Sequence, residues 1–150
     1  MVFTLAGGAV YYKSKLQPTV STSSTEAELI AAVQAAKIAK YLRSVLLELG
    51  YPQDGPTVLH EDNEAAIHVA NNAKPAAQSR HVDVAWFAIQ EWRENREIDL
   101  QHINTKINIS DALTKALAWV LLRRHCHRAM GHLGPPQIRN RAVPHTPSPF

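Results

Sequence analysis

From Glu26 to Leu49 the chain runs without a proline or a glycine through alanine, leucine, lysine and other strong helix formers, and Gly50 with Pro52 stops it. One long helix is therefore expected here, and the rest of the chain must pack around it. Ser23 stands just ahead of the run, with Glu26 three residues on. That spacing closes a capping box, in which Glu26 reaches back to the cap amide while its charge favours the positive helix end. Glu26 is thus expected to cap the helix and stay at its surface. Steps of three or four residues from Glu28 reach Ala31, Ala32, Ala35, Ala39, Leu42, Leu46 and Leu49, a small-then-large apolar stripe expected to pack on a sheet. A carboxylate at the top of a buried face is costly unless a counter-charge or a metal satisfies it. The alternative is that Glu28 is one more first-turn acid.

The chain has 150 residues, 45% hydrophobic and 19% charged, which suits one domain with a real core and leaves no room for two. A single cysteine, Cys126, excludes an internal disulfide framework, and no apolar run approaches the roughly 20 residues of a membrane span. The N-terminus lacks a charged stretch followed by an apolar one, so an intracellular, reducing setting is expected. The formal net charge of +3 leans mildly toward polyanionic partners. Much of the excess is local, in Arg123, Arg124, Arg128, Arg139 and Arg141.

"VFTLAGGAVYYKSKLQPTVS" reads as two extended segments joined by a turn at Gly7-Gly8, a hairpin. After the long helix, "PTVLHEDN" predicts a strand from Thr57 to Glu61 with Asp62 at its carboxyl end, and Asn63 or Asp62 opens a helix. A further helix follows from about Ser79, with Val82, Ala85, Trp86, Ile89 and Trp92 or Arg93 at helical spacing. "IDLQHINT" alternates as a strand, and "NISDALTKAL" predicts a capped helix start near Asp111 that continues to about Met130. Five of the nine prolines crowd the last residues, so 133–150 is expected to be a disordered tail after a domain spanning 1–132. The fold class is α/β, a small mixed sheet flanked by helices.

Sites in such sheets form beyond the strand ends. Glu28 enters from the helix after the hairpin, Asp62 from a strand end and Asp111 from the last helix start, so three separated acids can converge. Oxygen-rich sites suit magnesium or manganese, and two such ions about 4 Å apart activate water and stabilise the leaving oxygen in phosphodiester hydrolysis.

Four motifs in order, "QPTVSTSSTEAEL", "EDNEAAI", "SRHVDV" and "ISDALTKAL", resemble the ribonuclease H domain that ends the polyprotein of copia-type retrotransposons. The resemblance covers about Val2 to His132. It implies a ribonuclease-H-like fold that cuts the RNA strand of an RNA–DNA hybrid with two magnesium ions held by four carboxylates, alongside the reverse transcriptase portion of the same polyprotein. By motif, Glu28, Asp62 and Asp111 take three of those positions, as catalytic and metal-binding residues. The fourth lies, in the family, on a first strand upstream of the segment that Val2 to Val10 resembles, and no aspartate or glutamate precedes Glu26. The resemblance thus implies an incomplete N-terminus with that strand missing, and little activity from residues 1–150 alone. The rival expectation is a catalytically dead ribonuclease-H-like module that binds nucleic acid or a protein. An integrase or transposase of the same fold family is a further rival, which the "STEAEL" and "DALTK" motifs disfavour.

Lys13 and Lys15, beside Tyr11 and Tyr12, are candidates for touching a nucleic-acid backbone, against the alternative of a solvated strand face. His81 and Asp83 could orient substrate, or pack and cap a helix start. His102, in an alternating strand, reads as structural. His125, Cys126, His127 and His132 lack the usual spacing of zinc ligands.

Overall fold

A computed structural model describes residues 1–15, 23–71 and 80–131, the side chains of residues 80–82 excepted. The expected tail, 133–150, lies outside the described residues.

Strands β1 (Val2–Leu5) and β2 (Gly8–Tyr12) form the expected antiparallel hairpin. The linking residues Ala6 and Gly7 both have positive φ, 50° and 87°, as in the tight turns whose twist matches that of the strands they join. Phe3 stacks edge-on against Tyr11 and packs against the main core.

Helix α1 (Ser24–Glu48) starts as its sequence predicts, the Ser23 hydroxyl accepting from the Glu26 N–H at 3.1 Å. It ends at Gly50, whose φ of 85° lets Tyr51 N–H donate to Leu46 O at 2.8 Å and Gly50 N–H to Leu47 O at 3.0 Å, the paired reverse bonds of a glycine-terminated helix. Its inner face differs from expectation. Glu26 is buried, 7% exposed, and the residues turned to the core are Leu29, Ala32, Val33, Ala36 and Ala39. Of the stripe that begins at Glu28, Ala32 and Ala39 are buried as expected, whereas Ala31 and Ala35 are half-buried at the margin of that face and Leu49 is exposed. The physical reason is what covers α1: it packs on two further helices and one strand, which leaves the Glu28 side turned toward a groove.

Strands β3 (Thr57–Glu61) and β4 (Ile98–His102) pair in parallel, Thr57 opposite Ile98 through Glu61 opposite His102. Parallel neighbours require a long crossover, supplied by α2 (Glu64–Asn71) and α3 (Arg80–Glu94). The strands of the described residues thus form two separate pairs, one antiparallel and one parallel. Ala85 and Ile89 of α3 are buried as expected. Trp86 Nε1 donates to Val69 O at 3.0 Å, and Gln90 and Arg93 both donate to Ala70 O, tying α3 to the last turn of α2. Leu59, Ala70, Ile98 and Leu100 complete the core around α1. Alanines at the helix contacts leave little side-chain bulk to hold the axes apart.

Two devices fix the far end of α1. Arg43 donates to Gly55 O at 2.6 Å, Gln53 O at 2.7 Å and Thr57 Oγ1 at 3.3 Å, pinning the loop that leads into β3. Lys40 pairs with Glu97 at 2.8 Å and lies 5.0 Å from the centre of the Trp92 ring. A small pocket here is lined in part by Lys40, Arg43 and Glu97, each already engaged in these contacts.

The continuous last helix expected from Asp111 to Met130 is two elements: a 3-10 turn at Ile109–Leu113 and α4 (Trp119–Ala129). Neither proline nor glycine makes the break. Asp111 O already accepts from Thr114 and Lys115 N–H, and α4 is placed by tertiary packing on β2 and the 3-10 turn, with Met130 bridging to Gly8. Among the described residues no helix is long and apolar enough to cross a membrane.

Candidate functional site

Three elements deliver acids to one open groove of ≈ 860 Å³ between the hairpin, α1, β3 and the 3-10 turn. Glu28 comes from the second turn of α1, on the side the core does not use. Asp62 follows the last residue of β3. It is left free because Asn63 takes the cap of α2, its Oδ1 accepting from Ala66 N–H at 3.1 Å. Asp111 comes from the 3-10 turn, which Asn108 caps by accepting from Ser110 N–H at 3.1 Å. The residue is 5% exposed.

Lys115 joins two of the acids. Its Nζ donates to Asp111 Oδ1 at 2.9 Å and lies 3.8 Å from Asp62 Oδ2, while half of the lysine side chain remains exposed. The hydrogen bond to Asp111 raises the lysine above its ordinary range, with partial burial opposing and the charges of Asp62 and Glu28 adding. Glu28 is also raised. Burial is the main cause, repulsion from Asp62 and Asp111 adds to it, and Lys115 opposes it.

Glu61, one residue before Asp62, is a fourth acid lining the groove that the motif reading passes over. Its carboxylate accepts from Asn63 N–H at 3.0 Å. Burial nevertheless pushes it up to about 7, and the charges of Glu28 and Asp62 push the same way. Strand alternation was the available signal, since Glu61 stands two residues from buried Leu59 and shares its face. For Lys115 the signal was its i,i+4 spacing from Asp111.

Lys13 and Lys15 line the same groove. His81 belongs to the first turn of α3, and its side chain lies outside the described residues. His102 is exposed at the end of β4, 3.9 Å from Glu64. His125 is 1% exposed and, among the described residues, neither ring nitrogen has a hydrogen-bond partner; burial lowers its pKa although Asp111 pulls the other way. Cys126 is exposed and His132 lies outside the described residues.

The oxygen-only donor set is of the kind that hard divalent cations take. As the side chains stand, however, no three acids, histidines or cysteines among the described residues gather closely enough to form a ready cage. The cation lodged between Asp62 and Asp111 is the lysine.

Over 116 residues, 77% of the chain, the sequence is 37% identical to the retrovirus-related Pol polyprotein from transposon TNT 1-94 of Nicotiana tabacum. Its homologues are Pol polyproteins of plant transposons. The corresponding proteins from transposons RE2 and RE1 of Arabidopsis thaliana are each 28% identical, over 74% and 73% of the chain. The aligned Pol segment makes up 9%, 8% and 7% of those three relatives, so the chain spans less than a tenth of their length. No family model and no solved structure matches it. Within this Pol-polyprotein segment the acids and Lys115 are the most concentrated chemistry of the groove.

Proposed function

We propose that this Pol-polyprotein segment is a ribonuclease H, which cuts the RNA strand of an RNA–DNA hybrid and works beside the reverse transcriptase portion of the same polyprotein. The observation that carries the reading is the arrival of Glu28, Asp62 and Asp111, from three separate elements, at a groove that Lys13 and Lys15 also line. Acids brought together from that far apart in the chain repel one another, a cost that Lys115 offsets for Asp62 and Asp111 but leaves in part at Glu28, which the repulsion raises.

In this reading the three carboxylates hold magnesium, with manganese as an alternative. A bound divalent ion would supply Lewis-acid stabilisation and an activated water. The chain's own contributions are separate. Asp111 is held by the Asn108-capped turn, and Asp62 by the strand end and the Asn63 cap beyond it. Lys13 and Lys15, which line the same groove, offer positive charge to a phosphate backbone. A second reading, a non-catalytic nucleic-acid or protein binding module, draws on the absence of a closed three-acid cage among the described residues.

A labelled RNA–DNA hybrid with magnesium tests the choice. It is offered to the chain itself and to a version extended by an aspartate-bearing strand, the fourth carboxylate that the resemblance implies. Cleavage of the RNA strand that Asp62→Asn abolishes supports the nuclease. Hybrid binding without cleavage by either version favours the module.

A further inference from the structure

Lys115 stands where a metal-binding groove would want a cation. Its ammonium bridges acids from two elements, at 2.9 Å from Asp111 Oδ1 and 3.8 Å from Asp62 Oδ2. Glu28, on a third element, feels the same charge. The lysine stands two residues beyond the 3-10 turn, in the stretch where the backbone leaves helical geometry before α4 begins. An ammonium placed there does two things at once. It offsets repulsion between Asp62 and Asp111, and it takes up the space and the lone pairs that a divalent ion would need. With half of its side chain exposed, its flexible four-carbon stem can swing the ammonium into water without disturbing the backbone.

We propose that Lys115 is a resident counter-cation of the groove: it holds Asp62 and Asp111 together while no metal is present, and a divalent ion must displace it to bind. The proposal rests on the reading of these acids as metal ligands. It accounts for a groove that has the right donors yet no ready cage, because the acids are arranged around an ammonium. It also gives the lysine a regulatory effect, since competition from an internal cation sets the metal concentration at which the site fills.

Titrating manganese into the full chain and following the free ion by electron paramagnetic resonance gives the affinity directly, with no activity needed. Lys115→Met should bind manganese about tenfold more tightly than the parent chain, since removing a charge in contact with the ligands acts at short range. Lys15→Met, which removes a charge elsewhere in the same groove, should change affinity by no more than about twofold. Thermal melts add a second readout. Without metal, Lys115→Met should melt below the parent, and saturating manganese should close the gap. Lys115→Gln is a second variant for the same comparison should the methionine form fold poorly.

Asp62→Asn separates the two layers of the argument. If it binds manganese as well as the parent does, the acids are not metal ligands and the underlying reading falls. If it binds weakly while both lysine variants bind no more tightly than the parent, the ligand reading stands and the counter-cation proposal is overturned. A melting gap that persists unchanged at saturating manganese also overturns it, by reducing Lys115 to an ordinary structural ion pair.

Discussion

Replacing Glu61 with glutamine should make the metal-free protein more stable at alkaline pH and leave it unchanged at acid pH. Glu61 carries a carboxyl moved from 4.5 to about 7, chiefly by burial, so the folded chain holds its proton more tightly than the unfolded chain does. That preference stabilises the fold in full below about pH 4.5 and is lost as the pH rises through about 7. At about 1.4 kcal/mol per unit, the shift sets a ceiling of about 3 kcal/mol, which solvent screening at a half-buried groove wall reduces to about 1–2 kcal/mol. Glutamine is neutral at every pH, and its Oε1 can keep accepting from Asn63 N–H, so the substitution removes the ionisation and retains the hydrogen bond. Urea denaturation followed by circular dichroism, with chelator present, should place Glu61→Gln about 1–2 kcal/mol above the parent at pH 8 and within error of it at pH 5. A constant offset across that range, or a variant less stable than the parent at pH 8, would refute the reasoning, because neither can come from a proton that only the folded state retains.

Backbone and core make three further predictions. Ala6 and Arg96 have φ of 50° and 57°, so Ala6→Asn in the hairpin turn and Arg96→Gly after α3 should each raise stability by about 0.5–1 kcal/mol in chemical denaturation. Ile89 of α3, fully buried in the core, should cost about 2–5 kcal/mol when cut to alanine, read from the urea midpoint at an unchanged slope. Arg43→Met should leave the exposed carbonyls of Gln53 and Gly55 to water in place of their guanidinium partner, at a cost of about 0.5–1.5 kcal/mol. Faster amide exchange should then be concentrated at the start of β3.

The readable parts of this fold were those set by neighbours in sequence. Ser23, Gly50 and Asn63 act within a few residues of themselves, so the start and stop of α1 could be read directly, as could β3 from Thr57 to Glu61, and the start of α2 to within the choice of Asp62 or Asn63 as its cap. What packing decides was not readable in the same way. The inner face of α1 depends on which elements lie against it, so Glu26 is buried where a surface cap was expected. The break after Leu113 passes through Lys115-Ala116-Leu117-Ala118, good helix formers with no stop signal, and follows from where α4 must sit. The acids of the groove were legible as three separate residues. The roles of Glu61 and Lys115 were not: Glu61 is raised chiefly by burial, which tertiary packing sets, and Lys115 reaches Asp62 only because the fold brings in the end of β3.

Ser14 Oγ donates to Leu113 O at 3.1 Å, and Gly8 bridges to Met130, so the hairpin is fastened to the 3-10 turn and to the end of α4. Leu113 lies two residues beyond Asp111. Any opening of the hairpin therefore tugs on the segment that aims the most buried acid of the groove, while β3 and Asp62 belong to the separate strand pair. Amide exchange in β1 and β2 should accordingly keep pace with exchange around Asp111 rather than with exchange in β3 and β4. A ligand lying across Lys13 and Lys15 would grip the handle of that lever, and the relative positions of the acids would respond to whether it is held.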